Sequence, residues 1–281
     1  MLTRREFIRS SLGCAFAMSP GNLKAQPSNP AKAIPIGFQL YTVRGEFSRD
    51  APGTLKKLAE IGYKAVEFWG YSGTPNVFEN YSAVALRKVL DENNLKCCGM
   101  HLDLKALAKE NFGRTIENNQ ALGSEFLNLA SAEGKMGSEE AIGELANLLN
   151  EREAECQKVG LTIGYHSHGF DFKKIHDRSA WEILFGKLVP EVNMQIDVGN
   201  CLGGGGDPIA MLKEFPGRTR TIHIKEHKEK TFDSDFYKEV FRLCETTSGT
   251  KWNIVEMGGL LGNGFEVPRE ALQKLHQLGK K

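Results

Sequence analysis

Apolar and polar positions follow one repeating order along most of the chain. A short apolar run is followed by apolar residues at helical spacing, and then by a turn carrying Gly or Asn. The apolar runs are IPIGFQLYTV, AVEFWG, KCCGMHLD, FLNLAS, LTIGYHSHGF, NMQIDVGN, RTIHIKEH and WNIVEMGG. Their starts are spaced by roughly 27–36 residues, the length of a strand–helix unit. The intervening helices are legible. In DAPGTLKKLAEIGY, Leu55, Leu58 and Ile61 share a face and Gly62 ends the helix. NYSAVALRKVLDENNL places Val84, Leu86, Val89 and Leu90 on one side, with Asn94 as the stop. SEEAIGELANLLNEREAECQKVG has Ser138 as N-cap and Gly160 after its end. GDPIAMLKEFPG has Asp207 as cap and Pro208 at the first helical position.

Eight apolar strands alternating with helices imply parallel pairing, because helices then cover both faces of the sheet. The expected fold is a single α/β domain, a (β/α)8 TIM barrel over residues 34–281. A doubly wound open sheet would need a Gly-rich phosphate turn after an early strand. The only Gly run, LGGGGDP at Leu202 to Pro208, follows the sixth strand instead. It reads as a flexible loop, with an anion nest as the alternative.

The N-terminal segment departs from this pattern. Arg4 and Arg5 are paired, Phe7 and Ile8 follow, and a weakly apolar stretch runs from Leu12 to Met18. Residues 1–25 resemble a twin-arginine export signal, which implies a periplasmic protein that folds before export. Residues 26–33, QPSNPAKA, read as a linker. SLGC ending at Cys14 is similar to a lipoprotein box, but its apolar run is too short, so no lipid anchor is expected. No 18-residue apolar run occurs, so no membrane span is expected. Thirty-six basic residues face 35 acidic ones, a net charge of +1, and no basic face stands out; nucleic acid is not an expected partner. The six cysteines include no CxxC, and Cys97 with Cys98 read as small buried hydrophobes. The sequence leaves oligomeric state open, a homo-oligomer included.

A barrel puts its chemistry at the C-terminal ends of its strands. Those ends carry Gln39 and Tyr41, Glu67, His101 and Asp103, Asn128, His166 and His168, Asp197, His223, and Glu256. The i, i+2 pair His166 and His168 points to one face of a strand. His, Asp, His and Glu on four consecutive strands converge on one spot, and an uncompensated buried charge is expensive. Two imidazoles and two carboxylates suit one divalent ion, Mn, Co, Zn or Fe rather than Mg.

These residues carry a resemblance. The motifs AVEFWG, GYHSHGFDF, QIDVGN…GGDP, TIHIKEH and IVEMGG resemble the xylose-isomerase-like barrel family from about Ile34 to Leu278. That family groups sugar-phosphate isomerases and epimerases, tagatose-type epimerases, inosose dehydratases and endonuclease-IV-type enzymes. The resemblance implies metal ligands at His166, Asp197, His223 and Glu256. His166 departs from the family's commoner Glu, as in a subset with a YHxH motif. It also implies a sugar or keto-sugar isomerase/epimerase that abstracts a proton beside a carbonyl through a metal-stabilised enediolate. Glu256 is then the candidate base, with His166 or His168 as the opposite acid/base. This asymmetry also suits a lyase or dehydratase that eliminates from a keto-inositol or 3-keto-glycoside. Glu67, Trp69 and His101 match family substrate positions. Trp69 and Phe38 are candidates to stack on a sugar, and Lys225 to hold a hydroxyl or an anion.

Two other classes fit less well. A nuclease would need more metal ligands and a basic cleft. A non-catalytic sugar-binding protein would not need Glu256 together with Asp197 and His223.

Overall fold

The computed structural model describes residues 33–258 and 264–281. Residues 1–25, expected to be an export signal, and all but the last residue of the expected linker lie outside the described residues. Eight parallel strands form the barrel: β1 Ile36–Gln39, β2 Ala65–Tyr71, β3 Lys96–Leu102, β4 Phe126–Leu129, β5 Thr162–His166, β6 Asn193–Gln195, β7 Thr221–Ile224 and β8 Trp252–Val255. Neighbours in sequence are neighbours in the sheet, and β1 pairs with β8. The ring closes between β6 and β7 through Met194 N–H to Arg218 O (2.7 Å), His223 N–H to Ile196 O (2.9 Å) and an Asp197–His223 bridge.

Ten helices surround it among the described residues: α1 Arg44–Arg49, α2 Ala51–Ile61, α3 Ala83–Glu92, α4 Lys109–Leu122, α5 Glu139–Gln157, α6 Ala180–Lys187, α7 Val198–Gly203, α8 Pro208–Glu214, α9 Asp235–Thr246 and α10 Glu266–Gln277. The punctuation read from sequence is present. Ser138 Oγ accepts from Ala141 N–H at the start of α5, Asp207 caps α8, and Gly62 ends α2 at φ 123°. Helix α3 differs in one position. Val84 is 71% exposed while Leu86 and Leu90 are fully buried, so its core face is narrower than the apolar pattern suggested. All five described cysteines are buried and free.

Alternation along the strands splits the residues into two sets. Val66, Phe68 and Met100 face outward into the main core under the helices. Phe38 belongs to this set. It is fully buried and its ring lies 4.8 Å from that of Tyr63, so it packs barrel against helix and does not face a sugar. Its neighbour Gln39 points inward instead. A β-bulge between Val66 and Glu67 shifts the register of β2 on β3.

Inside the barrel, two glycines make room for polar residues. A Cβ on Gly164 would collide with Asn128 Oδ1 and lie 2.9 Å from Asn193 O. One on Gly99 would collide with Glu67 Oε1. Gly164→Ala is therefore expected to destabilise the protein by about 1–3 kcal/mol, read as a lowered urea midpoint with unchanged slope. An unchanged midpoint would show that the floor of the barrel repacks freely.

The Gly203–Gly206 run is not a loose loop. A Cβ on Gly204 would run into the backbone of Gly169, and one on Gly206 into Phe172 and Cys201. The glycines let the chain after β6 close tightly on the loop after β5.

Candidate active site

Barrel interiors are usually filled with branched apolar side chains. Here the centre is a hydrogen-bonded network. Asn193 Nδ2 donates to Asn128 Oδ1 (3.0 Å) and Thr221 Oγ1 (2.8 Å). Gln195 Nε2 donates to Glu67 Oε1 (2.8 Å) and Thr221 Oγ1 (3.0 Å). Glu67 also receives Gln39 Nε2 (2.8 Å) and Asn128 Nδ2 (3.2 Å). A network satisfied this fully is rigid, and it sets the positions of everything above it.

Above this floor the histidines gather. His223 is fully buried and held at both nitrogens: Nε2 lies 2.6 Å from Glu67 Oε2 and Nδ1 2.6 Å from Glu256 Oε2. Burial alone would push the His223 imidazole down, but Glu67 and Glu256 overcome it and lift its pKa to about 10. Burial would likewise raise Glu256, yet the His223 hydrogen bond and charge bring it to about 2. Glu67 is opposed by burial in the same way, and His101 and His223 hold it well below the usual carboxylate range. Asp197 is pushed up to about 6, first by burial, against the pull of Lys225 and with the push of Glu256.

His166 sits across from His223, ring centroids 4.5 Å apart, and its pKa is depressed well below the ordinary value by burial and by the neighbouring histidines. His101 stacks on His223 at 5.2 Å. Its Nε2 lies 2.7 Å from Gln195 Oε1 and 3.2 Å from Glu67 Oε2. Gln195 spends its NH2 on Glu67 and Thr221, so its oxygen accepts and His101 carries the proton on Nε2.

The side-chain donor atoms of His166, Asp197, His223 and Glu256 all lie within 4.8 Å of one another. His168 is not part of this group. The group could hold a cation: His166 Nδ1 and Asp197 Oδ2 are buried without any hydrogen-bond partner among the described residues. Buried polar atoms are seldom left so, and an imidazole nitrogen and a carboxylate oxygen facing one space fit a divalent ion. His223 fits as well. Glu67 accepts a hydrogen bond from Nε2–H, which leaves Nδ1 on the side of Asp197 and Glu256, the arrangement of a carboxylate behind a metal-binding histidine.

The group opens into a cavity of about 250 Å³ lined by Gln39, Tyr41, Trp69, Gly70, His101, Ala130, His166, His168 and Glu256. A larger cleft of about 440 Å³ at the opposite end, lined by Ile34, Lys96 and Lys251 among others, carries none of this cluster. Of the expected substrate positions, Trp69 and His101 reach the cavity. Glu67 does not. It lies fully buried beneath His223, with both oxygens taken, so it orients that ring rather than touching substrate. Lys225 also stays behind the wall. Its ammonium lies 3.7 Å from Asp197 Oδ2 and 3.8 Å from Glu256 Oε1, and it donates to Asn200 Oδ1 (3.1 Å).

His168 lines the cavity beyond the end of β5. Its ring stacks on Phe170 at 5.5 Å, and burial lowers its pKa. Asp171 belongs to the scaffold: it accepts from Tyr165 Oη (2.9 Å) and His168 N–H (2.7 Å) and so fixes the turn that aims His168.

Three partners escaped the sequence reading. Gln195 stands two residues before Asp197 on the same face, so period-two alternation pointed to it. Ser167 Oγ, which accepts from Asp197 N–H (2.8 Å), and Asn200, whose side chain meets Lys225, become visible only when β5, β6 and β7 are placed side by side.

Solved structures share this architecture. A sugar phosphate isomerase/epimerase from Parabacteroides distasonis ATCC 8503 is 20% identical, covers 89% of this chain and 98% of its own, and gives a TM-score of 0.72. A 3-keto-D-glucoside 4-epimerase from E. coli is 13% identical over 87% of this chain and 99% of its own, with a TM-score of 0.63. A probable 3-DHS dehydratase from Bacillus anthracis is 12% identical over 86% and 99%, with a TM-score of 0.60. No curated protein matches the sequence. At these identities the likeness is one of fold. The family itself is set by the sequence, which matches the model for xylose isomerase-like TIM barrels over residues 55–273. This chain belongs to the xylose isomerase-like TIM barrel family.

Proposed function

We propose that the chain is a divalent-metal-dependent isomerase or epimerase of a sugar or keto-sugar. One observation carries the reading: four donor side chains from four consecutive strand ends, two of them with orphaned buried atoms, meet beside a cavity at the C-terminal end of the barrel. His166, Asp197, His223 and Glu256 would hold the ion. When bound, the ion supplies positive charge that polarises a carbonyl and acidifies the neighbouring C–H.

The chain's own residues do the rest. Glu256 lines the cavity and stays a carboxylate at any working pH, so it is ready to take the proton α to the carbonyl. Glu67, through His223, fixes the ring against which Glu256 is held. Trp69 and Tyr41 form the apolar side of the cavity, where a sugar ring meets aromatic surface. His166 and His168 stand on the β5 side of the cavity, where burial disfavours the protonated form of both; with His166 in the donor group, His168 is the imidazole left free to exchange a proton with a substrate. Export to the periplasm, with residues 1–25 as its signal, rests on the Arg4–Arg5 pattern alone.

A second reading, β-elimination from a keto-inositol or 3-keto-glycoside, is favoured by those same imidazoles. Both Glu256 and His168 begin unprotonated, so neither has a proton to give until it has taken one. A single group that removes the α proton and passes it to a leaving oxygen satisfies that condition without a second, preprotonated acid. The test is incubation of metal-loaded protein with sugars and 3-keto-glycosides in deuterated water, followed by NMR. Epimerised, labelled product supports the first reading and an unsaturated keto-sugar the second. No label and no product in any of them would sink both.

A further inference from the structure

Beyond the catalytic cavity lies a second cleft that nothing above uses. It encloses about 460 Å³ and is lined by Trp69, Gly70 and the segment from Thr74 to Glu79. Trp69 and Gly70 also line the catalytic cavity, so the two spaces meet at the end of β2. Trp69 and Gly70 form their shared edge. Gly70 has φ +74°, and a Cβ there would meet nothing within 4 Å.

The cleft is built rather than incidental. Arg114 Nη1 donates to Gly73 O (3.0 Å) from helix α4. Asn118, one turn further along α4, donates to Tyr71 Oη (2.9 Å) and reaches Thr74 O and Pro75 O (3.4 Å each). Val77 N–H and Phe78 N–H both donate to Tyr81 O (2.9 and 3.3 Å), and Tyr81 N–H returns to Phe78 O (2.7 Å). Phe78 and Phe47 brace the Trp69 ring at 5.1 and 5.4 Å. A wall pinned this way is preformed for a ligand.

Its chemistry selects the ligand. The lining includes the Trp69 indole and the Glu79 side chain, which is exposed and free of any ion pair or side-chain hydrogen bond among the described residues. Glu79 is held there at φ +44°, an uncommon conformation for a non-glycine residue. No lysine or arginine lines either cavity among the described residues. An aromatic ring and a hydrogen-bond acceptor in one cleft, with no basic side chain in its lining, suit a neutral polyhydroxylated ring and disfavour a phosphate.

We infer that this cleft is a second sugar subsite, so that the substrate is a neutral two-ring glycoside whose reacting ring lies in the catalytic cavity and whose other ring lies against Trp69. The inference rests on the carbohydrate reading of the catalytic cavity. Thr74 is exposed on the cleft wall away from the metal-ligand group, so Thr74→Trp fills the cleft without touching the catalytic residues.

The test is calorimetric titration of metal-loaded full-length protein and of Thr74→Trp with glucose, maltose, cellobiose and trehalose. At least one disaccharide should bind tenfold or more tightly than glucose, and Thr74→Trp should erase that advantage while leaving glucose unchanged. Glu79→Gln, a subtler change on the rim, should weaken the same disaccharide severalfold. No disaccharide advantage, or equal loss for glucose and disaccharide in Thr74→Trp, overturns the subsite. The two readings fail separately. Disaccharide preference without deuterium exchange leaves the subsite standing and removes the isomerase, whereas exchange on single-ring sugars without the preference does the reverse.

Discussion

Glu256→Gln is expected to stop solvent-deuterium exchange at the substrate's α carbon and to lower kcat by about 10²–10⁴-fold. The glutamine keeps the length and planarity of the side chain but removes the basic oxygen. Glu256 is the right group to lose. It lines the cavity, and its partnership with His223 and Lys225 keeps it ionised down to a pKa of about 2. Because Glu256 is also in the donor group, the comparison is made at saturating metal, with the bound ion counted in both proteins. Exchange at the parent's rate in a metal-replete variant would remove Glu256 as the base and move the role to His168 or His166.

A comparably large effect is expected from a residue that touches no substrate. Glu67→Gln should lower metal affinity by about 10–100-fold and destabilise the metal-free protein by about 3–5 kcal/mol. Three amides, those of Gln39, Asn128 and Gln195, point N–H groups at Glu67, and a glutamine there would turn its own NH2 against one of them. The substitution also takes away the charge behind His223 Nε2.

The pH signature follows from the same contact. In the metal-free protein the His223 pKa stands at about 10, above the ordinary value of about 6.5, so the ion pair stabilises the fold fully below about pH 6.5. That stabilisation is lost as pH rises through 10. Its counterpart at Glu256 is the same pair seen from the other end and counts once. Urea midpoints of the metal-free parent should therefore fall between pH 7 and 10, and those of Glu67→Gln should fall less. A Glu67→Gln protein with the parent's midpoint, pH slope and metal affinity would contradict the role assigned to this carboxylate.

Much of the fold was legible because its signals are local and repeated. Ser138, Asp207 and Gly62 announce helix ends by chemistry that acts within four residues. The eight apolar runs announce strands by length and spacing. Residue by residue the picture blurs where a side chain's direction depends on pairing. The apolar run around Phe38 reads as uniform, yet Phe38 faces outward and Gln39 inward, and that is settled by four residues of β1 between β8 and β2. Val84 was counted with the core of α3 because helical spacing alone does not tell how wide the buried stripe is.

The site divides the same way. His166, Asp197, His223 and Glu256 stood out because charged and imidazole groups are conspicuous in apolar runs, and the barrel rule gave them one destination. Glu67 stood out for the same reason but was given the wrong neighbour. From sequence it is a strand-end carboxylate like the others. It lies two residues before Trp69 on the inward face of β2, one tier deeper, where it meets His223 instead of substrate. The amides that surround it carry no charge, so nothing in the sequence marks them as a network.

The convergence of four strand ends on one divalent ion is expected to show in metal binding. Its most direct test is the metal content of the purified protein after incubation with Mn, Co, Zn or Fe and exhaustive dialysis, beside Asp197→Asn treated identically. One tightly held ion per chain is expected in the parent, and its loss in the variant. A parent that retains no stoichiometric ion of any of the four would contradict it.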